Sequence, residues 1–503
     1  MTYTSSGIDR IVKKIVVLGA GSAGLLTALA LRKRHADLPV VIVRSKDIPV
    51  IGVGEGATWP VTAFLHDFLQ INTAKFFEMA KPTWKLGIRF NWGPRGTFFY
   101  PFHNSADTVL TGIDRPIGYF VGDQLNYADP YSALMSHDRA FARGPNGAPD
   151  MAGRHFAYHF ENEHFVSYLE QLAAASGITT VEDKVVDVKF SGQLVSGLQL
   201  ASGGIETADL FVDCSGFVSQ LLGKALKEPF VSFKSTLLCD RAVVGGWARE
   251  DEIIKPYTTA QTMDAGWAWQ IEHEHRINRG YVYCADFLSD ADAEREFRLK
   301  NPKVKETRIV RFTAGRYART WVGNVVGIGN SASFVEPLEA TALGAICMQG
   351  QLLAESLQES DRRLIDIHAT LYNQRVSRNV DSIRRFLAIH YKFNTLLDTP
   401  FWRQCRQSVD LAGAEQAVEY YQQTGPALYW MNAALDLFDF ATATGYLQLL
   451  VGQAVPFRSK AALTSAQSQL IQNYLAANRR LGETGYTVQQ MLQLGRDPRN
   501  RWN

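Results

Sequence analysis

Cysteine is scarce and never clustered. The chain has five, Cys214, Cys239, Cys284, Cys347 and Cys405, an odd number with no C-x-x-C pair. That excludes a disulfide framework and a zinc ribbon, and it fits a reducing compartment, the cytoplasm. Charge of either sign is without excess: 52 Lys and Arg against 50 Asp and Glu leave a net charge of +2. Nothing in that balance argues for nucleic acid as a partner. Long apolar runs are missing as well. The uncharged stretch Ile15–Leu31 has 17 residues, short of the about 20 that a membrane span needs, and its glycines fall at motif spacing. No membrane partner is expected, and the start, Met1 to Lys14, lacks a secretory pattern. His155, His159 and His164 do not form an H-E-x-x-H pair. They read as surface or satisfied core histidines, and no metal site is expected. A chain of 503 residues suffices for two or three domains, or for one large core with a satellite.

What is present is organised around IVVLGAGSAGLLTALAL, Ile15 to Leu31. It reads as strand, tight turn and helix, with Gly19, Gly21 and Gly24 at G-x-G-x-x-G spacing. The first glycine turns the chain, the second lets backbone approach a pyrophosphate, and the third lets the helix pack on the strand. The free N–H groups of the helix start, at Ser22 and Ala23, then face the phosphate. A second strand, Val40–Val43, ends on Arg44 where such folds commonly place an acidic ribose ligand. Arg44 meets a phosphate, stacks on adenine, or is a solvated strand end. Ile51-Gly-Val-Gly-Glu-Gly-Ala-Thr-Trp-Pro60 is a tight loop leading into a helix through Phe64–Leu69, able to lie against a flat cofactor. Residues 104–150 read as irregular structure or a covering loop.

At these blocks the chain resembles the flavin-dependent halogenases, of which the tryptophan halogenases are the best known. GAGSAG followed by IGVGEGATWP carries the resemblance first. The segment Trp84-Lys-Leu-Gly-Ile-Arg-Phe-Asn-Trp92 is similar to the block holding the family's catalytic lysine, which falls on Lys85. A lysine in an apolar strand is partly desolvated and becomes a better nucleophile; without the resemblance it reads as an edge lysine. In Phe98-Phe-Tyr-Pro-Phe-His103, Tyr100 stands where the tryptophan enzymes have histidine, and Phe102 matches their aromatic residue. Gly266-Trp-Ala-Trp-Gln-Ile271 resembles the Trp-x-Trp-x-Ile-Pro signature, with Glu272 in place of proline; period-two alternation puts Trp267 and Trp269 on one strand face. Gly329-Asn330 and Glu336-Pro-Leu-Glu-Ala-Thr-Ala342 resemble the family's Glu-Pro-Leu-Glu-Ser-Thr-Gly block. That makes Glu339 the catalytic glutamate and places the halide on the backbone of Thr341 and Ala342, while Glu336 reads as structural. Ala340 and Ala342 depart from the pattern. A halide site needing glycine's freedom is impaired at Ala342.

The resemblance implies an α/β, FAD-dependent monooxygenase-like fold. It would have a Rossmann-type dinucleotide-binding unit, a β-meander over Val181–Phe190, Val195–Leu200 and Ile205–Thr207, and a mostly helical C-terminal region. The expected division is 1–350 for the FAD-binding part and 351–503 for the helical region closing the substrate pocket, with Trp430 stacking on the substrate ring. Helical periodicity there covers Met348–Leu357, Arg362–Ser377, Val380–Asn394, Ala414–Gln423 and Ser465–Leu481. The implied FAD contacts are Gly19, Gly21, Ser22, Ala23, Gly24, Arg44, Gly54, Glu55, Ala57, Gly329, Asn330 and Leu338; Tyr100, Phe102, Trp267 and Trp269 face or flank the substrate. The implied reaction installs chloride or bromide on an electron-rich, indole-like aromatic. It runs through a flavin hydroperoxide, hypohalous acid and the lysine, which acts by hydrogen bonding or as a haloamine. A single G-x-G-x-x-G leaves the hydride source external, so a separate NAD(P)H-dependent flavin reductase is expected as partner, and a homodimer is a fold-level expectation. The competing reading is an aromatic hydroxylase on the same fold.

Overall fold

The computed structural model describes residues 10–47, 54–103, 110, 113, 124–151, 155–435, 439–458 and 462–496. The strand Ile15–Leu18 is buried at every position and sits in the middle of a six-stranded sheet. Its neighbours Val40–Arg44 and Leu210–Asp213 pair with it in parallel, and Thr179–Glu182 and Val325–Gly327 extend the parallel run outward. Parallel strands buried on both faces need continuous apolar sequence, and Ile-Val-Val-Leu and Val-Val-Ile-Val supply it. The helix Ser22–Arg34 follows directly and is apolar nearly all round. It is covered on its far side by the helix Ala342–Glu359: a Cβ at Gly350 would lie 3.2 Å from Thr27 Oγ1. Arg32, Lys33 and Arg34 close its last turn, where cations favour the helix dipole.

A second, seven-stranded sheet carries the substrate side. Its order is Thr307–Arg311, Arg241–Ala248, Arg276–Tyr283, Gly266–Glu272, Tyr257–Met263, Gly87–Asn91 and Phe98–Pro101. All pairings are antiparallel except Gly87–Asn91 with Tyr257–Met263. A small sheet bridges the two: Ala157–Phe160 pairs on one edge with Thr83–Lys85 and on the other with Glu55–Gly56. That bridge carries the glycine loop to Lys85.

Three expected elements differ in extent. Val181 belongs to Thr179–Glu182 in the parallel sheet, and the meander begins at Val185. The two periodic stretches on either side of Arg378-Asn379 are one helix, Asp366–Phe393, since neither separating residue is a helix breaker. Pro400–Ser408 and Ala443–Gly452 are helices that periodicity did not single out. One continuous apolar core runs from Val12 to Leu492 and takes in residues of the C-terminal helices. Among the described residues no helix is long and apolar enough to cross a membrane.

Candidate active site

The glycine turn tests whether a dinucleotide fits. Gly19 sits at φ +112, and a Cβ there would lie 2.4 Å from the Cys214 carbonyl oxygen. A Cβ at Gly24 would lie 1.9 Å from the Gly19 carbonyl oxygen, so helix and turn are in backbone contact. At Gly21 a Cβ would meet nothing within 4 Å. Gly21 caps the helix with no side-chain hydrogen bond, and the first turn has no acidic residue. The helix N–H groups therefore face open space beside a bare backbone, which is the shape a pyrophosphate requires. Gly329, at φ +71, closes on this turn: its Cβ would lie 3.0 Å from Ala23 Cβ, and its N–H donates to Gln349 Oε1 at 2.9 Å. Asn330 follows in the same short turn, and Leu338 is buried nearby in sequence. The residues present fit an FAD.

Arg44 is engaged elsewhere. Its guanidinium pairs with Glu170 and Glu182, so a phosphate would have to displace a carboxylate, and the strand-end alternative describes it best. Glu55 accepts from the Asn162 amide, and burial pushes its carboxyl up to about 7. Gly54 sits at φ +74 against His273 and Asn278. Ile51–Val53 of the same loop, and residues 104–109 of the expected covering loop, lie outside the described residues.

Lys85 is fully buried. Its Nζ donates to the Ala57 carbonyl at 3.1 Å and sits 5.1 Å from the centre of the Phe102 ring. Burial lowers its pKa to about 7, opposed by Glu339. A Cβ at Gly56 would lie 3.2 Å from Lys85 Nζ, 3.3 Å from Ala340 Cβ and 3.5 Å from Thr258 Oγ1. The glycine loop, the lysine and the glutamate turn thus meet at one point. Behind them His159 Nε2 is 2.9 Å from Thr258 Oγ1. Burial, and the neighbouring Lys85 charge after it, hold that imidazole well below its ordinary value, as a satisfied core histidine.

The turn Pro337–Glu339 ends on Ala340 at φ +55. Thr341 then caps the helix Ala342–Glu359. Ala342 is its first helical residue, a conformation any residue adopts, so the expected impairment at Ala342 does not arise; the left-handed position is Ala340. Ala342 is exposed and the first helical turn has no acidic residue, which leaves N–H groups open to an anion.

The two carboxylates of this turn are held by consecutive residues of one helix. Glu339 Oε1 lies 2.7 Å from His390 Nε2, while Oε2 is buried with no partner among the described residues. Glu336 Oε2 accepts from the Trp267 indole at 2.7 Å and from the Tyr391 hydroxyl. Burial pushes the Glu336 carboxyl up to about 7 against those two donors. His390 and Tyr391 were not legible as site residues. The one signal was a histidine inside the apolar helical run Phe386-Leu-Ala-Ile-His-Tyr391.

Trp267 and Trp269 share a strand face, ring centres 6.1 Å apart. Trp269 lies over Gly280 of the next strand, where a Cβ would be 2.0 Å from the indole. Burial first, then Glu339, raises the Tyr100 phenol well above its ordinary value. The Tyr100 ring faces Phe386 at 5.8 Å, and its hydroxyl abuts Gly445, where a Cβ would lie 2.7 Å away. The residues packed against Tyr100 are therefore Phe386 and Gly445, on helices Asp366–Phe393 and Ala443–Gly452, with the Tyr446 ring against Phe386. Trp430 stands apart: it is 60% exposed, with its ring edge-on to Tyr429, which is 77% exposed.

A phosphate cradle on a parallel sheet, joined to a second sheet that buries a lysine beside a carboxylate and an aromatic wall, defines a flavin-dependent oxidoreductase. The profile described as "Tryptophan halogenase" matches residues 14–469. Tryptophan 6-halogenase ThaL of Streptomyces albogriseolus is 29% identical over 487 residues, covering 88% of this chain and 90% of its own. The crystal structure of MibH, a lanthipeptide tryptophan 5-halogenase, superposes with TM-score 0.89 at 37% identity, over 99% of this chain and 96% of that one. Tar14, a tryptophan C-6 flavin-dependent halogenase, superposes with TM-score 0.85 at 27% identity, over 96% of this chain and 99% of that one. The chain belongs to the tryptophan halogenase family and is a flavin-dependent halogenase.

Proposed function

We propose that this halogenase places chloride or bromide on the indole ring of a tryptophan. The observation that carries the reading is the burial of Lys85 near Glu339, with the Phe102 ring against the lysine and Tyr100 near the glutamate. Gly19, Gly21, Ser22, Ala23 and Gly24 hold the FAD pyrophosphate, and Gly54, Glu55, Ala57, Gly329, Asn330 and Leu338 line the rest of that cofactor. Reduced FAD, once bound, supplies with O₂ the oxidising equivalent that makes a halide electrophilic. The N–H groups of Thr341 and Ala342 hold the halide. Lys85, poised near neutrality by burial, takes the halogen on its amine and presents it to the ring. Glu339 takes the proton that the ring carbon sheds. Trp267 and Trp269 wall the flavin side from the substrate, and residues 351–503 close the pocket. Electrons come from a separate NAD(P)H-dependent flavin reductase. The five buried, unpaired thiols support a cytoplasmic setting.

The test is mass spectrometry of a turnover mixture containing the protein, FAD, a flavin reductase with NADH, and chloride or bromide. The substrates are free tryptophan, a tryptophan-containing peptide, indole and a phenol. A halogen isotope pattern on an indole that vanishes with Lys85→Ala is the expected result. MibH is titled a lanthipeptide halogenase, so the peptide arm decides between free and peptide-borne tryptophan. A product heavier by one oxygen, with no halogen, would sink the reading in favour of hydroxylation.

A further inference from the structure

The imidazole of His390 is fully buried, and both of its nitrogens are engaged. Nδ1 lies 3.0 Å from the Phe386 carbonyl oxygen. A carbonyl only accepts, so Nδ1 carries a hydrogen. Nε2 lies 2.7 Å from Glu339 Oε1. Two bare lone pairs would repel at that distance, so a proton lies between them. A hydrogen bond therefore joins the ring to Oε1.

The ring is also fixed in place. The end of its helix would leave carbonyls without partners. The Trp92 indole donates to the His390 carbonyl at 2.8 Å, and the Gln453 amide to the Ile389 carbonyl at 3.1 Å. Phe90 and Phe386 pack against the imidazole, each with ring centres 5.2 Å away. The next residue, Tyr391, is tied to Glu336. The charged and titratable groups facing Glu339 are then Lys85 from its strand, Tyr100 from the sheet edge and His390 from the helix, with Glu336 at the other end of the turn.

We propose that His390 is a positioning residue for halogenation. It anchors Glu339 through Oε1 and leaves Oε2 as the oxygen that receives the proton from the substrate ring. The inference rests on the roles given above to Lys85 and Glu339. The balance closes within the site. The nitrogen–halogen bond at Lys85 breaks, its electron pair stays on nitrogen, and a carbon–halogen bond forms. The ring C–H bond then breaks, its pair restores aromaticity, and the proton goes to Oε2. No further oxidant or reductant is needed. Without His390 the carboxylate can rotate, and either oxygen, or neither, faces the ring.

The experiment has one arm without turnover and one with it. In the first, the protein is labelled with ¹⁵N-histidine, and the His390 signals are assigned by their loss in His390→Gln. A hydrogen-bonded proton at Nε2, whose signal moves in Glu339→Gln, is expected; an Nε2 with the shift of a bare nitrogen, or one unmoved by Glu339→Gln, overturns the proposal. In the second arm His390→Gln and His390→Phe are assayed for kcat and KM on the substrate identified above. Glutamine can still hydrogen bond to Oε1, and phenylalanine cannot. Both are expected to keep KM within about twofold, phenylalanine to lose about 100-fold in kcat, and glutamine to recover part of that loss. Wild-type kcat in His390→Phe, a loss carried by KM alone, or no recovery with glutamine overturns the proposal. If the wild type halogenates nothing, the reading of the reaction fails, and the spectroscopic arm still decides where the proton sits.

Discussion

Replacing Lys85 by methionine should stabilise the protein while abolishing halogenation. Burial brings the lysine from 10.5 to about 7. At about 1.4 kcal/mol per pH unit, the folded state carries about 5 kcal/mol of penalty whenever the unfolded chain holds that proton and the pH is below about 7. A lowered lysine pKa means the folded state sheds a proton that the unfolded chain keeps. The penalty is therefore full below about pH 7 and fades as pH rises toward 10.5. Methionine has a similar length and no charge. It forfeits the hydrogen bond to the Ala57 carbonyl and the contact with the Phe102 ring. An unmade bond at that carbonyl costs about 1–3 kcal/mol, and the cation–ring contact about 0.5–2 kcal/mol. The net gain is about 0–3.5 kcal/mol at pH 7. For a chain of 503 residues that is about 0–3 °C in thermal midpoint. Calorimetry of wild type and Lys85→Met at pH 7 and pH 9.5 measures it, with the variant better placed relative to wild type at pH 7. A midpoint that falls at pH 7, or a difference that favours the variant more at pH 9.5, would refute the claim that this lysine is held against its own charge.

The same amine sets the pH dependence of the reaction. Product formation at saturating substrate should rise through about pH 7 as Lys85 loses its proton; a fall through that pH would instead assign the protonated lysine the role of hydrogen-bond donor. Gly21→Ala should leave the apoprotein's thermal midpoint within about 1 °C, because its Cβ meets nothing, yet weaken FAD at least about tenfold by flavin-fluorescence titration. Gly24→Ala should destabilise the apoprotein itself by about 1–3 kcal/mol, since its Cβ would fall 1.9 Å from a carbonyl oxygen; equal behaviour of the two variants would undo the division of labour. Gly445→Val should push on the Tyr100 hydroxyl, 2.7 Å from the added Cβ, and raise KM for the aromatic substrate about tenfold; an unchanged KM would remove Tyr100 from the pocket wall.

What the sequence disclosed was contiguous. Gly19, Gly21 and Gly24 do three different jobs within one turn, so their spacing alone carries the shape. Lys85 and Phe102 were legible because each sits in a short block of its own. Trp267 and Trp269 followed from period two. What stayed hidden depends on chain segments far apart in sequence. Arg44 ends its strand beside Glu170 and Glu182, which no local pattern connects to it. Trp430 has the residue type of a stacking wall but lies on the surface. Gly445, which does pack against Tyr100, belongs to a helix without distinctive composition. The doubt about Ala342 arose from comparing residue types. It dissolves once backbone angles are known, because the left-handed position is two residues earlier, at Ala340.

The glutamate turn shows why two like residues must be handled differently. Glu336 and Glu339 lie on one tight turn in a dry interior, and two bare carboxylates there would repel and both resist ionisation. Glu336 receives neutral donors, Trp267 and Tyr391, and its carboxyl is pushed up to about 7, close to neutral form. Glu339 is held through Oε1 by the His390 imidazole. Consecutive residues on a helix point about 100° apart, so His390 and Tyr391 reach the two ends of the turn from one backbone. The environments thereby differ in their donors, an indole and a phenol on one carboxyl and an imidazole on the other, while each keeps one buried oxygen without a partner among the described residues. The helix that does this starts at Asp366 and ends at Phe393, beyond the short motifs from which the site residues were read. The chemistry of Glu339 is therefore set by a segment whose importance only the folded chain reveals.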